Sequence, residues 1–484
     1  MNILDYPIFV LLVIVTVFWL YFISKDRKLG FRRLYKSIKY HKHINKNLLF
    51  LFVGNPAFVI LSTFFLLGLM GTLLLLSPIA TYNGITFSDA LFTAVSASCV
   101  TGLITLDTPS VFTSYGQFFI LLLIQLGGLG IMTITTVALA IVGYRFSLKE
   151  EVLLKNLTET NHKDILCSLS LILKTTILIE GIGAIVLSLL FIDSGLKYKD
   201  AIWRGLFTAV SAFCNAGFSL QYDSLISFQT SPCVLYTVAI LIILGGLAPA
   251  TTLIIPKWIM GKKIELMHWL PIVTTLVLIF GCAFFILVFE WEKSMEYLSV
   301  ADKFHNAIFQ SVTLRTAGFN SVDFSGISSI TYLIMLFAMF VGGNPGGTAG
   351  GIKTTTLALL FLTFWANITG RSNIILQNRK IGYEIVYKAV TIVFAGLIMV
   401  FAGVFMLEVT QDISLKAIIF EVISAIATVG LSIGGTSQLD SLGKIIVAFI
   451  MYSGRVGPLT LFMLLSNNRQ STRINHLEAK ILLS

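Results

Sequence analysis

The sequence predicts an all-α polytopic membrane protein. Four pseudo-symmetric repeats of span, re-entrant half-helix and span are expected around a central pore, with one extra amino-terminal span. Three observations carry that expectation. Apolar residues fill 56% of 484 positions and charged residues 12%, and the mean hydropathy is +0.88; soluble domains carry about 25% charged residues. Nine apolar runs approach the roughly 20 residues that cross a hydrocarbon core of about 30 Å. Between pairs of these runs, one short motif ending in glycine occurs four times.

The runs lie near Pro7 to Ser24, Ala57 to Ser77, Gln117 to Gly143, Leu166 to Ile192, Thr230 to Ile255, Trp269 to Glu290, Ser329 to Trp365, Val386 to Val409 and Lys444 to Leu465. Their orientation follows from Lys and Arg, which gather in cytoplasmic loops. Nine lie between Lys25 and Lys46, four between Arg145 and Lys163, three between Lys257 and Lys263, four between Arg371 and Lys388 and three beyond Leu465, or 23 of the 34. Alternating sides from the first cluster puts the amino terminus outside and the carboxyl terminus in the cytoplasm, across the plasma (inner) membrane. The net charge of +10 then describes an inner-leaflet and partner-facing surface, not a nucleic-acid binder. The first run has no basic residue before it and no small-residue cleavage site, so an anchor fits better than a signal peptide. The chain divides into an extra helix (1–24), a basic cytoplasmic linker (25–56), four repeats (57–143, 144–255, 256–367 and 368–466) and a cytoplasmic tail (467–484).

The four motif copies are ALFTAVSASCVTGLI (Ala90 to Ile104), GLFTAVSAFCNAGFS (Gly205 to Ser219), AIFQSVTLRTAGFN (Ala307 to Asn320) and AIIFEVISAIATVGLS (Ala417 to Ser432). Their glycines, Gly102, Gly217, Gly318 and Gly430, recur 115, 101 and 112 residues apart. Each copy is too short to span and sits between two spans. One such loop alone reads as a glycine-capped surface helix. Four in register read as re-entrant loops, because non-helical backbone at membrane depth must be shielded by protein or line a wet cavity. Glycine lets carbonyls turn toward an axis, and rings of carbonyl oxygen can replace the hydration shell of a cation. The expected ligands are main-chain oxygens of Cys99, Val100, Thr101 and Gly102; Cys214, Asn215, Ala216 and Gly217; Arg315, Thr316, Ala317 and Gly318; and Ala427, Thr428, Val429 and Gly430.

A further feature interrupts the seventh run, where VGGNPGGTAGGIKTTT (Val341 to Thr356) breaks an apolar stretch with six glycines and a proline. It is not a phosphate-binding loop: Ile352 separates Gly351 from Lys353, and no βαβ unit surrounds it. Enzyme chemistry has no other support, since the six histidines are scattered and no triad or paired-carboxylate pattern occurs. The five cysteines, Cys99, Cys167, Cys214, Cys233 and Cys282, lack metal-ligand spacing and read as small buried apolar residues. Alternating-access exchange is disfavoured, because four equal loops imply one continuous axis rather than an inverted pair of repeats.

The loops FTAVSASCVTGL and QSVTLRTAGF, the GGNPGGTAGGIKTTT break and the SGRVGP stretch together resemble the membrane subunit of the Trk/Ktr/HKT superfamily of potassium transporters, nearest the KtrB and TrkH type. The likeness runs from about Asn55 to the end of the last span. It implies a homodimer, K⁺ uptake through an outward-facing filter, and a cytosolic nucleotide-binding regulatory ring of the KtrA/TrkA type. It also implies a gate formed by the break, with Gly342, Gly343, Asn344, Gly346, Gly347, Thr348, Gly350, Gly351 and Lys353. Glycine at all four filter positions goes, in this superfamily, with preference for K⁺ over Na⁺; a Na⁺-permeable or Na⁺/K⁺ co-transporting member is the alternative. The single extra amino-terminal span departs from the pattern of none or two.

Intramembrane charges are costly and so are placed for a reason. Arg455 offers five donors in a fixed fork and, by the resemblance, lies beneath the filter as the partner of the gate; bracing the fold is its other reading. Lys353 either points into the cytosolic vestibule or plugs the pore. Arg315 is expected to turn away from the axis and brace its loop. Glu180 is either a packing residue or a transport residue, and Lys174 snorkels. Glu421, Asp89, Asp200 and Asp302 would add negative potential at the outer mouth, although the three aspartates also suit helix caps. LGGLAPATT (Leu244 to Thr252) differs from LGGLGIM (Leu126 to Met132) of the first repeat, and the sequence assigns its proline no role.

Overall fold

The computed structural model describes residues 56–130, 165–324, 326–371 and 373–457. The first run, the basic linker, the Arg145 to Lys163 cluster and the tail lie outside these residues. The chain forms two compact units, 1–63 with 129–175 and 64–128 with 176–484. The first is described only at 56–63, 129–130 and 165–175; the second carries everything that follows.

Four helices match the first span of each repeat: α1 (Pro56–Leu75), α4 (Ile165–Asp193), α9 (Leu266–Glu290) and α13 (Tyr383–Thr410). Among the described residues three helices are long and apolar enough to cross a membrane, or four if one bent pair counts as a single span. Shorter helices follow each first span: α2 (Phe87–Ser98), α5 (Tyr198–Phe213), α10 (Val300–Thr313) and α14 (Leu415–Ile426), of 12 to 16 residues. At about 1.5 Å per residue they cover at most about 24 Å, too little to span. The starts of α2, α10 and α14 are fixed by side-chain caps. Thr86 Oγ1 accepts from the Asp89 amide and donates to Asp89 Oδ2 at 2.7 Å, and Ser299 and Asp302 repeat the arrangement at 2.6 Å. The caps themselves are Thr86 and Ser299, and the two aspartates in the first turn hold the capping hydroxyls.

Each second span has a described helix. These are α3 (Ser114–Gly128), α6 (Pro232–Gly246), α11 (Ser329–Phe340) and α15 (Ser441–Val456). In the third repeat the predicted break separates α11 from α12 (Thr354–Ile368). A second break was not expected. The run from Thr230 to Ile255 is no single span, because α6 stops at Gly246 and turns by 119° into α7 (Pro249–Thr252) and α8 (Ile255–Ile259).

Buried aromatic and aliphatic side chains join consecutive repeats. Phe207, Val210 and Phe218 of the second pack with Ile120, Leu123 and Ile124 of the first, and Phe309 and Phe319 of the third pack with Leu235 and Val238 of the second. The all-α expectation needs one correction: β1 (Ile375–Leu376) and β2 (Arg379–Lys380) form a hairpin. Its turn residues, Gln377 and Asn378, both have positive φ, the requirement of a tight two-residue turn. The cysteine expectation also needs one. Cys99, Cys214 and Cys282 are buried, whereas Cys233 is exposed on the first turn of α6.

Candidate ion pathway

Each half-helix is followed by the same backbone manoeuvre. The residue two before the glycine is left-handed in all four loops: Val100 (φ 56°), Asn215 (60°), Thr316 (63°) and Thr428 (52°). The glycines follow at φ 89°, 71°, 78° and 92°. A non-glycine residue in this region costs about 1–3 kcal/mol and persists only where its surroundings impose it. The surroundings here include a serine six residues before the glycine in three loops. Ser96 Oγ donates to the Leu103 carbonyl at 2.7 Å and accepts from the Gly102 amide at 3.1 Å. Ser211 Oγ donates to Phe218 at 2.7 Å, and Ser424 Oγ accepts from Gly430 at 3.1 Å. These serines were missed, although the shared S of VSAS, VSAF and ISAI was a readable signal. The third repeat has Val312 there.

The four loops close a ring. A Cβ placed on Gly102 would lie 2.3 Å from the Ala216 oxygen, on Gly217 2.8 Å from Ala317, on Gly318 2.6 Å from Val429, and on Gly430 2.1 Å from Thr101. Each glycine thus abuts the carbonyl just before the next repeat's glycine, and the fourth returns to the first. No side chain fits at any of the four. Cys99, Val100, Thr101, Cys214, Asn215, Ala216, Arg315, Thr316, Ala317, Ala427, Thr428 and Val429 are all buried. Asn215 Nδ2 donates to the Arg315 carbonyl at 3.2 Å, tying the second loop to the third.

The segment between α11 and α12 lies against this ring, at the end where the half-helices stop. Its ends pair with each other: Gly342 donates to Ile352 at 2.9 Å, Ile352 to Phe340 at 3.1 Å and Thr354 to Gly343 at 3.0 Å. A Cβ on Gly350 would meet Thr428 Oγ1 at 2.1 Å, and one on Gly342 would meet Thr316 Cγ2 at 3.1 Å. Gly346 and Gly351 have positive φ. Asn344 and Thr348 donate their amides to Gly246 (3.0 Å) and Gly245 (3.1 Å), with a Gly347 Cβ position 2.3 Å from the Gly246 oxygen. Lys353 is half-buried, and its Nζ turns back to donate to the Ala349 carbonyl at 2.7 Å.

Arg455 meets this segment directly. Nη1 donates to the Thr348 carbonyl at 2.6 Å and Nη2 to the Gly127 carbonyl at the end of α3. Both of these partners are neutral oxygens. Arg315 is buried, but Nε and Nη1 find no hydrogen-bond partner among the described residues, so the expected polar brace is not made through those atoms. Glu180 is buried and accepts from Gln125 Nε2 at 3.0 Å, with Cys214 Sγ 3.7 Å away. Lys174 is exposed. Glu421, expected to add negative potential at the outer mouth, has a structural set of partners. It is 1% exposed and accepts from the Thr436 hydroxyl (2.6 Å), the Thr436 amide (3.2 Å) and the Ser432 hydroxyl, which ties down the chain just after Gly430. Among the described residues no cluster of three or more His, Cys, Asp or Glu could hold a metal ion.

Comparison with known proteins decides the family. The TrkH model, described as a cation transport protein, matches residues 34–477. The chain belongs to the TrkH family. The potassium/sodium uptake protein NtpJ of Enterococcus hirae is 37% identical, over 89% of this chain and 97% of its own length. The Ktr system potassium uptake protein B of Bacillus subtilis is 36% identical, over 86% of this chain and 94% of its own. The crystal structure of the potassium transporter TrkH from Vibrio parahaemolyticus superposes with a TM-score of 0.66, covering 88% of this chain and 86% of that one, at 19% identity, which establishes the shared fold. As a TrkH-family membrane subunit, the chain is a transporter and not an enzyme.

Proposed function

We propose that the chain takes up K⁺ across the plasma membrane through a filter formed by the four re-entrant loops, gated by the segment Gly342 to Gly351. The observation that carries this is the cyclic contact of each glycine with the next loop's carbonyl. A cation on that axis exchanges water for main-chain oxygens of Cys99 to Gly102 and their three counterparts. The names of the relatives, a potassium/sodium uptake protein and a Ktr potassium uptake protein, agree with this cargo.

The loop acts as a gate by lying across the cytosolic side of the filter, and Arg455 acts as its latch. A guanidinium on neutral carbonyls keeps its positive charge near the path, which raises the barrier to a cation. Moving the loop aside breaks the bond to Thr348 and reopens the path. A homodimer, with a cytosolic nucleotide-binding ring acting on the gate, completes the reading; the term Ktr system in the relatives' names supports a multi-component assembly.

Uptake of Rb⁺ and Na⁺ in competition, in cells stripped of their own K⁺ transporters, tests the reading. Rb⁺ is expected to dominate. Equal Rb⁺ and Na⁺ flux would instead favour a Na⁺-permeable carrier, the alternative raised by the name of the Enterococcus relative.

A further inference from the structure

The unexpected break in repeat 2 and the intramembrane segment of repeat 3 are partners. In a continuous helix the amide of residue 249 would bond the carbonyl of Gly245, and that of residue 250 the carbonyl of Gly246. Residue 249 is proline, which has no N–H and whose ring clashes with the carbonyl four residues back. Helix α6 accordingly ends at Gly246, and the chain turns through 119°.

Three carbonyls then need donors. That of Leu244 is served locally, by Thr252 Oγ1 at 3.2 Å. Those of Gly245 and Gly246 accept from the amides of Thr348 and Asn344, at 3.1 and 3.0 Å. The fit is close enough to exclude side chains: a Cβ on Gly347 would sit 2.3 Å from the Gly246 oxygen, and one on Gly343 would sit 3.0 Å from it. Thr348 is the meeting point. Its amide faces Gly245, its hydroxyl donates to the Phe213 carbonyl at the end of α5 (3.2 Å), and its carbonyl accepts from Arg455.

We propose that the broken end of α6 is the dock that holds the gate shut, and that Pro249 is the positioning residue that creates it by leaving the Gly245 and Gly246 carbonyls free. Arg455 holds one side of the loop and α6 holds the other. This rests on the reading of Gly342 to Gly351 as a gate.

The test is Rb⁺ uptake by the full-length protein purified into phosphatidylethanolamine and phosphatidylglycerol vesicles, with a variant shortened within Gly342 to Gly351 as the reference for an unlatched gate. Pro249→Ala restores an amide that recaptures the Gly245 carbonyl, and it is expected to raise the maximal rate at least threefold. The Rb⁺ KM and the Rb⁺ to Na⁺ ratio stay unchanged, which general damage to the fold would not produce. Gly347→Ala, which pushes the loop off α6 without altering α6, is expected to do the same and decides the matter if Pro249→Ala does not fold. The double variant should run no faster than the faster single one, because both remove one contact. If the shortened loop speeds uptake while both single variants stay at or below the wild-type rate, the dock is wrong and the gate stands. Fully multiplicative effects would also overturn the shared contact. If the shortened loop does not speed uptake, gate and dock fall together.

Discussion

Lys444 at the start of α15 donates to Asp89 Oδ1 near the start of α2, 2.7 Å away. This ion pair joins the last repeat to the first, and Thr105 completes the site by donating to the same oxygen at 2.8 Å. Burial works to raise the Asp89 carboxyl, but the bonds from Lys444, Thr86 and Thr105 and the Lys444 charge outweigh it and hold the pKa below its ordinary value. A carboxylate lowered in this way stabilises the fold above its unfolded pKa and loses that contribution as pH falls through the folded value. Thermal stability in detergent should therefore fall more steeply in acid for the wild type than for Asp89→Asn. At neutral pH Asp89→Asn should be less stable by about 1–3 kcal/mol. Parallel acid curves would remove Asp89 from this role.

Gly217→Ser tests the ring. Its Cβ would stand 2.8 Å from the Ala317 carbonyl, so that oxygen must move and the cage loses its fit. Rb⁺ uptake should drop and Na⁺ uptake rise, read as a lower Rb⁺ to Na⁺ ratio in competition. An unchanged ratio in a folded variant would exclude Gly217 from the filter.

Arg455→Gln removes a fixed charge and its bonds to Thr348 and Gly127. Charge-assisted bonds are worth about 1.5–3 kcal/mol each. Losing the one to the loop shifts the gate by about ten- to a hundredfold toward open. Single-channel or flux records should show the higher activity. A folded but slower variant would mean that Arg455 only braces the fold.

Glu421→Ala strands the Thr436 and Ser432 donors around an apolar hole. The cost should be about 2–4 kcal/mol, seen as a lower melting temperature, with Glu421→Gln recovering part of it. Equal stability of all three would show that the carboxylate does not hold the chain after Gly430.

How far the sequence could be read depended on whether a feature repeats. The four glycines, the half-helices and the break at Val341 were legible because spacing alone exposes them, and the glycines do meet. Pro249 was not legible, because a proline in an apolar run can start a new helix as readily as kink an old one. Only the carbonyls of Gly245 and Gly246, satisfied from a segment about 100 residues away in sequence, tell the two apart. The partners of Glu421 were not legible for a related reason: a short half-helix has faces toward lipid, ring and neighbour, and hydropathy does not say which one a carboxylate takes. The bond of Lys353 to the Ala349 carbonyl, made by the fold of its own loop, is likewise invisible in composition.

The nearest contact of each ring glycine runs in one sense, from Gly102 to Ala216, Gly217 to Ala317, Gly318 to Val429 and Gly430 to Thr101, and Gly318 alone also has the preceding loop's Gly217 Cα 3.1 Å away. The pore is therefore handed, although its cargo is not. An added side chain strikes first the loop ahead of it, and at Gly318 it meets the loop behind as well, so the four glycines are not interchangeable. A fault at Gly430 is paid at Thr101 in the first repeat, and one at Gly102 at Ala216 in the second. What a substitution does to the ring thus depends on how its downstream neighbour is held, by a serine in the first, second and fourth loops and by the Asn215 bond to the Arg315 carbonyl in the third.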